Sequence, residues 1–203
     1  MIIPKILNSN KPYNIFKLSF FTDDNMLKRC SWVENKEEIY IMYHDDEWGI
    51  PTYDDGELFE MLILELFQAG LSWITILKKR ENFRKAFDDF DVDKIIEYGP
   101  EKIEELMENE GIIRNRRKIE ATINNAKIFK EMQKEYGTFS NYIWSFTDGE
   151  IIKAEYLTES DLSKKISKDL KKHGMKFVGP TIIYSYLESI GIIDNHEKDC
   201  FKY

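Results

Sequence analysis

The chain reads as all-α. Three observations predict this: apolar residues recur at helical spacing, no run alternates apolar and polar as a half-buried strand would, and helix start and stop signals bracket the apolar segments. Asp54 or Asp55 serves as N-cap for a helix through "LFEMLILELFQA" that stops at Gly70, where a left-handed residue is tolerated. A second helix begins at Ser72 and carries the basic run "KKRENFRK". Pro100 suits the first turn of "PEKIEELMENE", with Gly111 at its end. A long helix covers about 116–136, with Ile119, Ile123, Ala126 and Phe129 on one face. The aromatic "TFSNYIWSF" and a looser stretch follow. Ser160 or Asp161 then caps a helix ending at His173 and Gly174, and Thr181 to Ser189 forms another. Asp148 and Gly149 mark a turn and no domain boundary.

With 203 residues, 42% of them hydrophobic and 14% aromatic, the chain has apolar mass for one substantial core or two small ones. No uncharged stretch is longer than Leu66 to Leu77, which is too short to cross a bilayer, so no membrane partner is expected. Residues 1–25 lack the apolar core and cleavage site of a secretory signal, so a cytoplasmic protein is expected. Two cysteines are too few for a disulfide scaffold. The net charge of −8 argues against a polyanionic partner, but the basic residues are segregated: they cluster in "KKRENFRK", "RNRRK" and "SKKISKDLKKHGMK". These runs are either ordinary solvated helix faces or one basic face for phosphate contact.

"MLILELFQAGLSWITIL", Met61 to Leu77, contains a single formal charge, Glu65. Leu58, Met61 and Leu62 precede it, and Ala69 follows at helical spacing, which places the carboxylate on a core-like face. An unpaired buried carboxylate costs several kcal/mol. Glu65 is therefore protonated, matched to an internal cation, or reserved for a ligand.

Both cysteines and two of the three histidines fall into two pairs. Cys30 and His44 are separated by thirteen residues, and "HEKDC" sets His196 and Cys200 four apart, on one face if that segment is helical. Such a set suits a structural zinc that ties the start of the domain to its end. Two buried thiols, or a Cys30 to Cys200 disulfide, are the alternatives. His173 suits a helix C-terminus, where positive charge is favoured.

In "LKKHGMKFVGPTIIYSYLESIG" a lysine-rich helix reaches Gly174, and after a turn Gly179 opens a second helix with Pro180 in its first turn. The backbone N–H groups there, with the flanking lysines, form a sequence-indifferent phosphate clamp. The arrangement resembles the helix-hairpin-helix of DNA repair glycosylases. From "RCSWV" through "YIMYHDDEWGIP", "LFEMLILELFQAGLSWITILKKRENFRKAF" and "EGIIRNRRKI" to "LKKHGMKFVGPTIIYSYLESIGIIDNH", the chain resembles the 3-methyladenine DNA glycosylase I family over about Met26 to Cys200.

The resemblance implies an alkylation-repair enzyme of helix-hairpin-helix architecture that acts on duplex DNA and releases 3-methyladenine. It implies a structural zinc on Cys30, His44, His196 and Cys200, and a base pocket of Glu65, Tyr40, Tyr43 and Trp73 with Trp32 nearby. In the chemistry this suggests, Glu65 accepts hydrogen bonds from the adenine edge while Trp73 and Tyr43 stack on its two faces. Gly174, Lys176 and Gly179 would contact the DNA, with Leu71 as a wedge into the space the base vacates. Superfamily members that also cleave the strand carry a lysine just after the hairpin glycine; "VGPT" puts Thr181 there, so base excision without lyase activity is expected. The wider superfamily carries a catalytic Asp after the second hairpin helix, where "IIDNH" offers Asp194; two residues before His196, it instead caps a turn or orients that imidazole. Residues 1–25 lie outside the resemblance and read as an extension or a misassigned start, with 26–203 as the glycosylase domain. A monomer is expected. The alternative from another class is a non-catalytic zinc-stabilised helical DNA-binding module.

Overall fold

The computed structural model describes residues 27–154 and 157–203. The expected extension over 1–25 lies outside the described residues. Nine α-helices run through them: α1 (Glu38–Asp46), α2 (Asp55–Gln68), α3 (Trp73–Ala86), α4 (Val92–Ile96), α5 (Pro100–Glu108), α6 (Arg116–Tyr136), α7 (Phe139–Trp144), α8 (Asp161–Lys172) and α9 (Pro180–Ser189).

The centre of the molecule is α2. Every residue from Leu58 to Phe67 is buried, as expected of a helix that is apolar on nearly all sides. It packs against α3, α6, α7 and α9. Asp54 caps it, its carboxylate accepting from the amides of Gly56 at 2.9 Å and Glu57 at 3.0 Å. At the other end Gly70 takes φ +82°, the left-handed geometry anticipated there. The aromatic cluster of Phe67, Phe83 and Phe87 fastens α2 to α3, and Phe59, Phe129 and Phe139 stack between α2, α6 and α7.

Most expected boundaries hold, α6 to the residue. Ser160 proves to be the cap of α8, in a reciprocal pair with Ser163. Two expectations need correcting. α5 stops at Glu108 rather than Gly111, because Asn109 leaves the helix and its side chain accepts from the Gly111 amide at 2.8 Å. The described residues are also not wholly helical: β1 (Ile152–Lys153) and β2 (Ile193–Asp194) form a two-residue parallel pair, too short for any alternation to announce it.

Candidate base-binding pocket and Cys/His cluster

The α2–α3 turn sets one rim of a cavity. Leu71 N–H donates to Gln68 O at 2.7 Å, and Gln68 Nε2 donates back to Leu71 O at 2.8 Å. Lys118 reaches across from α6, its Nζ donating to Phe67 O at 2.9 Å and Ala69 O at 2.7 Å. This buried ammonium satisfies carbonyls that the end of α2 leaves open, where the helix dipole favours a cation. Trp73 then opens α3 on the cavity side.

The cavity measures about 240 Å³ and is lined by Trp32, Tyr40, Tyr43, Trp48, Glu65, Gln68, Trp73, Ser185 and Glu188. All five residues expected from the sequence, Glu65, Tyr40, Tyr43, Trp73 and Trp32, thus meet in one place. The volume falls below the roughly 300–1,000 Å³ of drug-sized sites, which suits a single flat heterocycle better than a nucleotide.

Glu65 is 4% exposed, and no hydrogen bond or ion pair reaches it from any described residue. Burial first, and the charge of Glu188 second, push its carboxyl up to about 8. Of the three fates open to it, the internal cation is therefore not the one observed. Arg80 is held by Glu47 and, at 2.6 Å, by Glu60. The Trp73 indole N–H is likewise buried without a partner among the described residues.

The two rings expected to stack on the base lie close together. A base stacked on both faces between Tyr43 and Trp73 needs ring planes about 7 Å apart, two van der Waals contacts of ~3.5 Å. Their centroids lie 5.3 Å apart with a 53° tilt, so the two rings touch each other. A stacked base would have to part them.

Sequence reasoning missed Trp48, Gln68, Ser185 and Glu188 in the wall. The rule that singled out Glu65, a lone carboxylate in an apolar helix, applies equally to Glu188 in "TIIYSYLES".

Behind Trp32 and Trp48 lies the cysteine and histidine cluster. Cys30, His44 and Cys200 are buried, with donor atoms within 4.8 Å of one another. His196 is close, its ring centroid 5.4 Å from that of His44, but stands outside that set of three; its Nε2 is buried with no partner among the described residues. The route by which Cys200 arrives differs from the helical spacing expected of "HEKDC". The segment is a turn, with the Cys200 amide donating to Glu197 O at 2.8 Å.

Each imidazole has its Nδ1 on a carboxylate, His44 on Asp45 at 2.7 Å and His196 on Asp194 at 2.9 Å. Burial holds both rings below their ordinary value, with the carboxylates opposing it. Both are thus neutral at pH 7 with Nδ1 engaged and Nε2 turned away from the carboxylate, that of His44 lying 3.5 Å from Cys200 Sγ. Two buried thiols, two such rings and an orphaned Nε2 fit a tetrahedral zinc.

Of the expected DNA-contacting residues, Leu71 is 38% exposed at the α2–α3 turn. Gly174, at φ +99°, Lys176 and Gly179 lie together in the α8–α9 turn. Asn125 braces that turn from α6, its Oδ1 accepting from Lys176 N at 2.8 Å and its Nδ2 donating to Lys176 O at 2.9 Å. Gly179 is the N-cap of α9, whose Ser185 and Glu188 reach the cavity, so turn and pocket share one helix.

Much of the first two basic runs is tied down within the protein. Arg80 and Arg84 converge on Glu60, Lys79 donates to Glu110 O and Gly111 O, and Lys118 is buried. Arg116 pairs with Glu104 at 2.6 Å.

The model of the methyladenine glycosylase family matches residues 32–203. The chain is 45% identical over 181 residues to a DNA-3-methyladenine glycosylase of Haemophilus influenzae, covering 86% of this chain and 97% of that one. It is 44% identical over 183 residues to DNA-3-methyladenine glycosylase 1 of Escherichia coli strain K12, covering 87% and 97%. A crystal structure of a variant of 3-methyladenine DNA glycosylase I in complex with 3-methyladenine superposes with TM-score 0.82 at 39% identity, covering 85% of this chain and 96% of that one. Fold and cavity therefore define a helical protein of the DNA glycosylase class. Within it, the chain belongs to the methyladenine glycosylase family.

Proposed function

We propose that this chain removes 3-methyladenine from alkylated duplex DNA by hydrolysing the N-glycosidic bond, and that it does so on a helix-hairpin-helix architecture formed by α8, α9 and their turn. The observation that carries the proposal is Glu65, a buried carboxylate without a cation, set in an aromatic cavity.

Methylation at N3 leaves the purine positively charged while it is still joined to the sugar. The bond from C1′ to N9 breaks with its electron pair going to N9, so the base departs neutral. Water adds to C1′ and loses a proton, leaving an abasic hydroxyl. No strong acid is required, because the leaving group carries its charge beforehand. The protein's part is to receive the extruded base. Glu65, ionised by the cation it faces, accepts from the exocyclic amine, and Trp73 offers its face, worth roughly 0.5–2 kcal/mol to a cation. Tyr43 swings aside to admit the ring, and Tyr40, Trp32 and Trp48 complete the wall. Leu71 fills the gap left in the duplex, and the turn of Gly174, Lys176 and Gly179 grips the backbone. Thr181, an exposed residue in the first turn of α9, offers no amine for strand cleavage.

Cys30, His44 and Cys200, joined by His196, would hold a zinc ion, which supplies structural closure between the two ends of the domain and no step of the reaction. Asp45 and Asp194 orient its imidazoles.

The test is to incubate the purified protein with methylated duplex DNA and identify the released bases. Wild-type protein should release 3-methyladenine and no unmodified adenine, and metal analysis of the same preparation should find about one zinc per chain. Glu65→Gln should lose base release by about a hundredfold or more while binding duplex almost as well, the penalty of removing a charged acceptor realised at the reacting base. Absence of 3-methyladenine, or equal release of adenine, would sink the proposal.

A further inference from the structure

Two carboxylates, not one, face the cavity. Glu188 lies one turn beyond Ser185 on α9 and is 7% exposed. Its Oε1 accepts from Asn195 Nδ2 at 2.5 Å, and the same amide donates to Tyr184 Oη at 2.8 Å. Asn195 is itself buried. No lysine or arginine pairs with either carboxylate among the described residues. Since α2 and α9 pack on each other, Glu65 and Glu188 enter the cavity from neighbouring helices, while Tyr43 and Trp73 enter from α1 and α3.

The two environments differ. Glu188 has an amide donor that favours its ionised form, and burial pushes its carboxyl up only to about 7; Glu65 has no donor and is pushed up to about 8. With a donor on Glu188 and none on Glu65, Glu188 is the readier anion of the two. Nothing in the wall offsets that negative charge, and the buried, partnerless side chain of Glu65 marks the cavity as built for a ligand.

We propose that Glu188, held by Asn195, is a specificity-determining residue that with Glu65 makes the pocket select a purine bearing fixed positive charge over a neutral purine of similar shape. The proposal rests on the base-excision reading above and deepens it. A neutral adenine entering the cavity strips the remaining water from Glu188 and offers no charge in return. A cationic purine offsets the carboxylate as it desolvates it. Discrimination then comes largely from rejecting the neutral base, which matters because ordinary adenine vastly outnumbers the lesion. Glu65 alone selects less well, since a neutral base can leave it protonated at little cost. The second carboxylate, whose proton is held less firmly, removes that escape.

Two free bases probe this directly: the fixed cation 3,9-dimethyladeninium and neutral 9-methyladenine, titrated into the intact protein. Wild-type protein should bind the cation at least tenfold more tightly. Glu188→Gln should lower the cation-to-neutral affinity ratio about tenfold, the order expected on removing one unit charge near a partly desolvated partner, with 9-methyladenine bound as well as before or better. Glu188→Asp should restore part of the ratio.

The proposal is overturned if Glu188→Gln weakens both ligands equally, which is the signature of a packing role, or changes neither. If Glu188→Gln does not fold, the wild-type ratio decides: equal affinity for the two bases overturns the proposal. Wild-type protein that releases no 3-methyladenine from DNA defeats the base-excision reading and this inference with it. Normal release with an unchanged ratio in Glu188→Gln defeats the inference alone.

Discussion

Burial pushes the Glu65 carboxyl up from 4.5 to about 8, with the charge of Glu188 adding to the effect. Between those two values the unfolded chain has given up this proton while the folded one keeps it. Folding therefore gains nothing from Glu65 below about pH 4.5 and becomes steadily less favourable as pH rises towards 8, by about 3–5 kcal/mol in all. Glu65→Gln, a neutral side chain of the same shape, should accordingly melt several degrees above wild type at pH 8 and close to it at pH 5, while losing base release at both. Thermal denaturation of the two proteins across that range checks this. A Gln variant less stable than wild type at pH 8 would mean that the carboxylate is paired after all. The sequence already announced Glu65, because a single charge in seventeen residues of α2 and its sequel must be protonated, paired or kept for a ligand. Glu188 carries the same signal, a lone carboxylate in an apolar helix, but near the end of a ten-residue helix its burial follows from tertiary packing, with Asn195 arriving from beyond α9.

At the scale of elements, the boundary between α2 and α3 governs access to the pocket, and Lys118 holds it. "RNRRK" looks like a run of phosphate contacts, yet its last residue is spent on the carbonyls of Phe67 and Ala69, 51 and 49 positions away in sequence. No local pattern could have shown this, because the signal is a partner supplied by tertiary packing. Helix boundaries, by contrast, were legible for α2, α3, α6, α8 and α9, since caps such as Asp54 and Ser160 act within a turn of their own position, whereas α1, α4 and α7 went unread. Replacing Lys118 with Met keeps the apolar stem and removes two charge-assisted hydrogen bonds. Stability should fall by about 2–3 kcal/mol. Amide exchange should accelerate over Gly70 to Thr75 in particular, and base release should drop as Leu71 and Trp73 lose their fixed approach. Exchange that rises evenly over the whole chain would show Lys118 to be a general core residue rather than the tether of this turn.

For the molecule as a whole, the question is how a chain of net charge −8 engages a polyanion. Three basic runs suggested a broad positive face, but tertiary pairing assigns the first to Glu37, Glu47, Glu60 and Glu81, and takes Arg116 and Lys118 out of the second. What remains is mostly in the third run, where Lys168, Lys171, Lys172 and Lys176 are exposed and lack ion pairs among the described residues, beside the Gly174 turn; Lys85 and Arg117 are exposed and likewise unpaired elsewhere. A small footprint of this kind releases few counterions. The logarithm of the duplex binding constant should fall against the logarithm of salt concentration with a slope of about −3 to −4, the value for some four phosphate contacts. Lys171→Ala and Lys176→Ala should each flatten that slope by about 1, whereas Arg80→Ala should lower stability and leave it alone. A wild-type slope steeper than about −6 would require the first two runs to abandon their carboxylates on the DNA. With so little backbone charge to draw on, such a protein cannot hold unmodified duplex tightly, and its residence at a lesion depends on what the cavity gains from the extruded base.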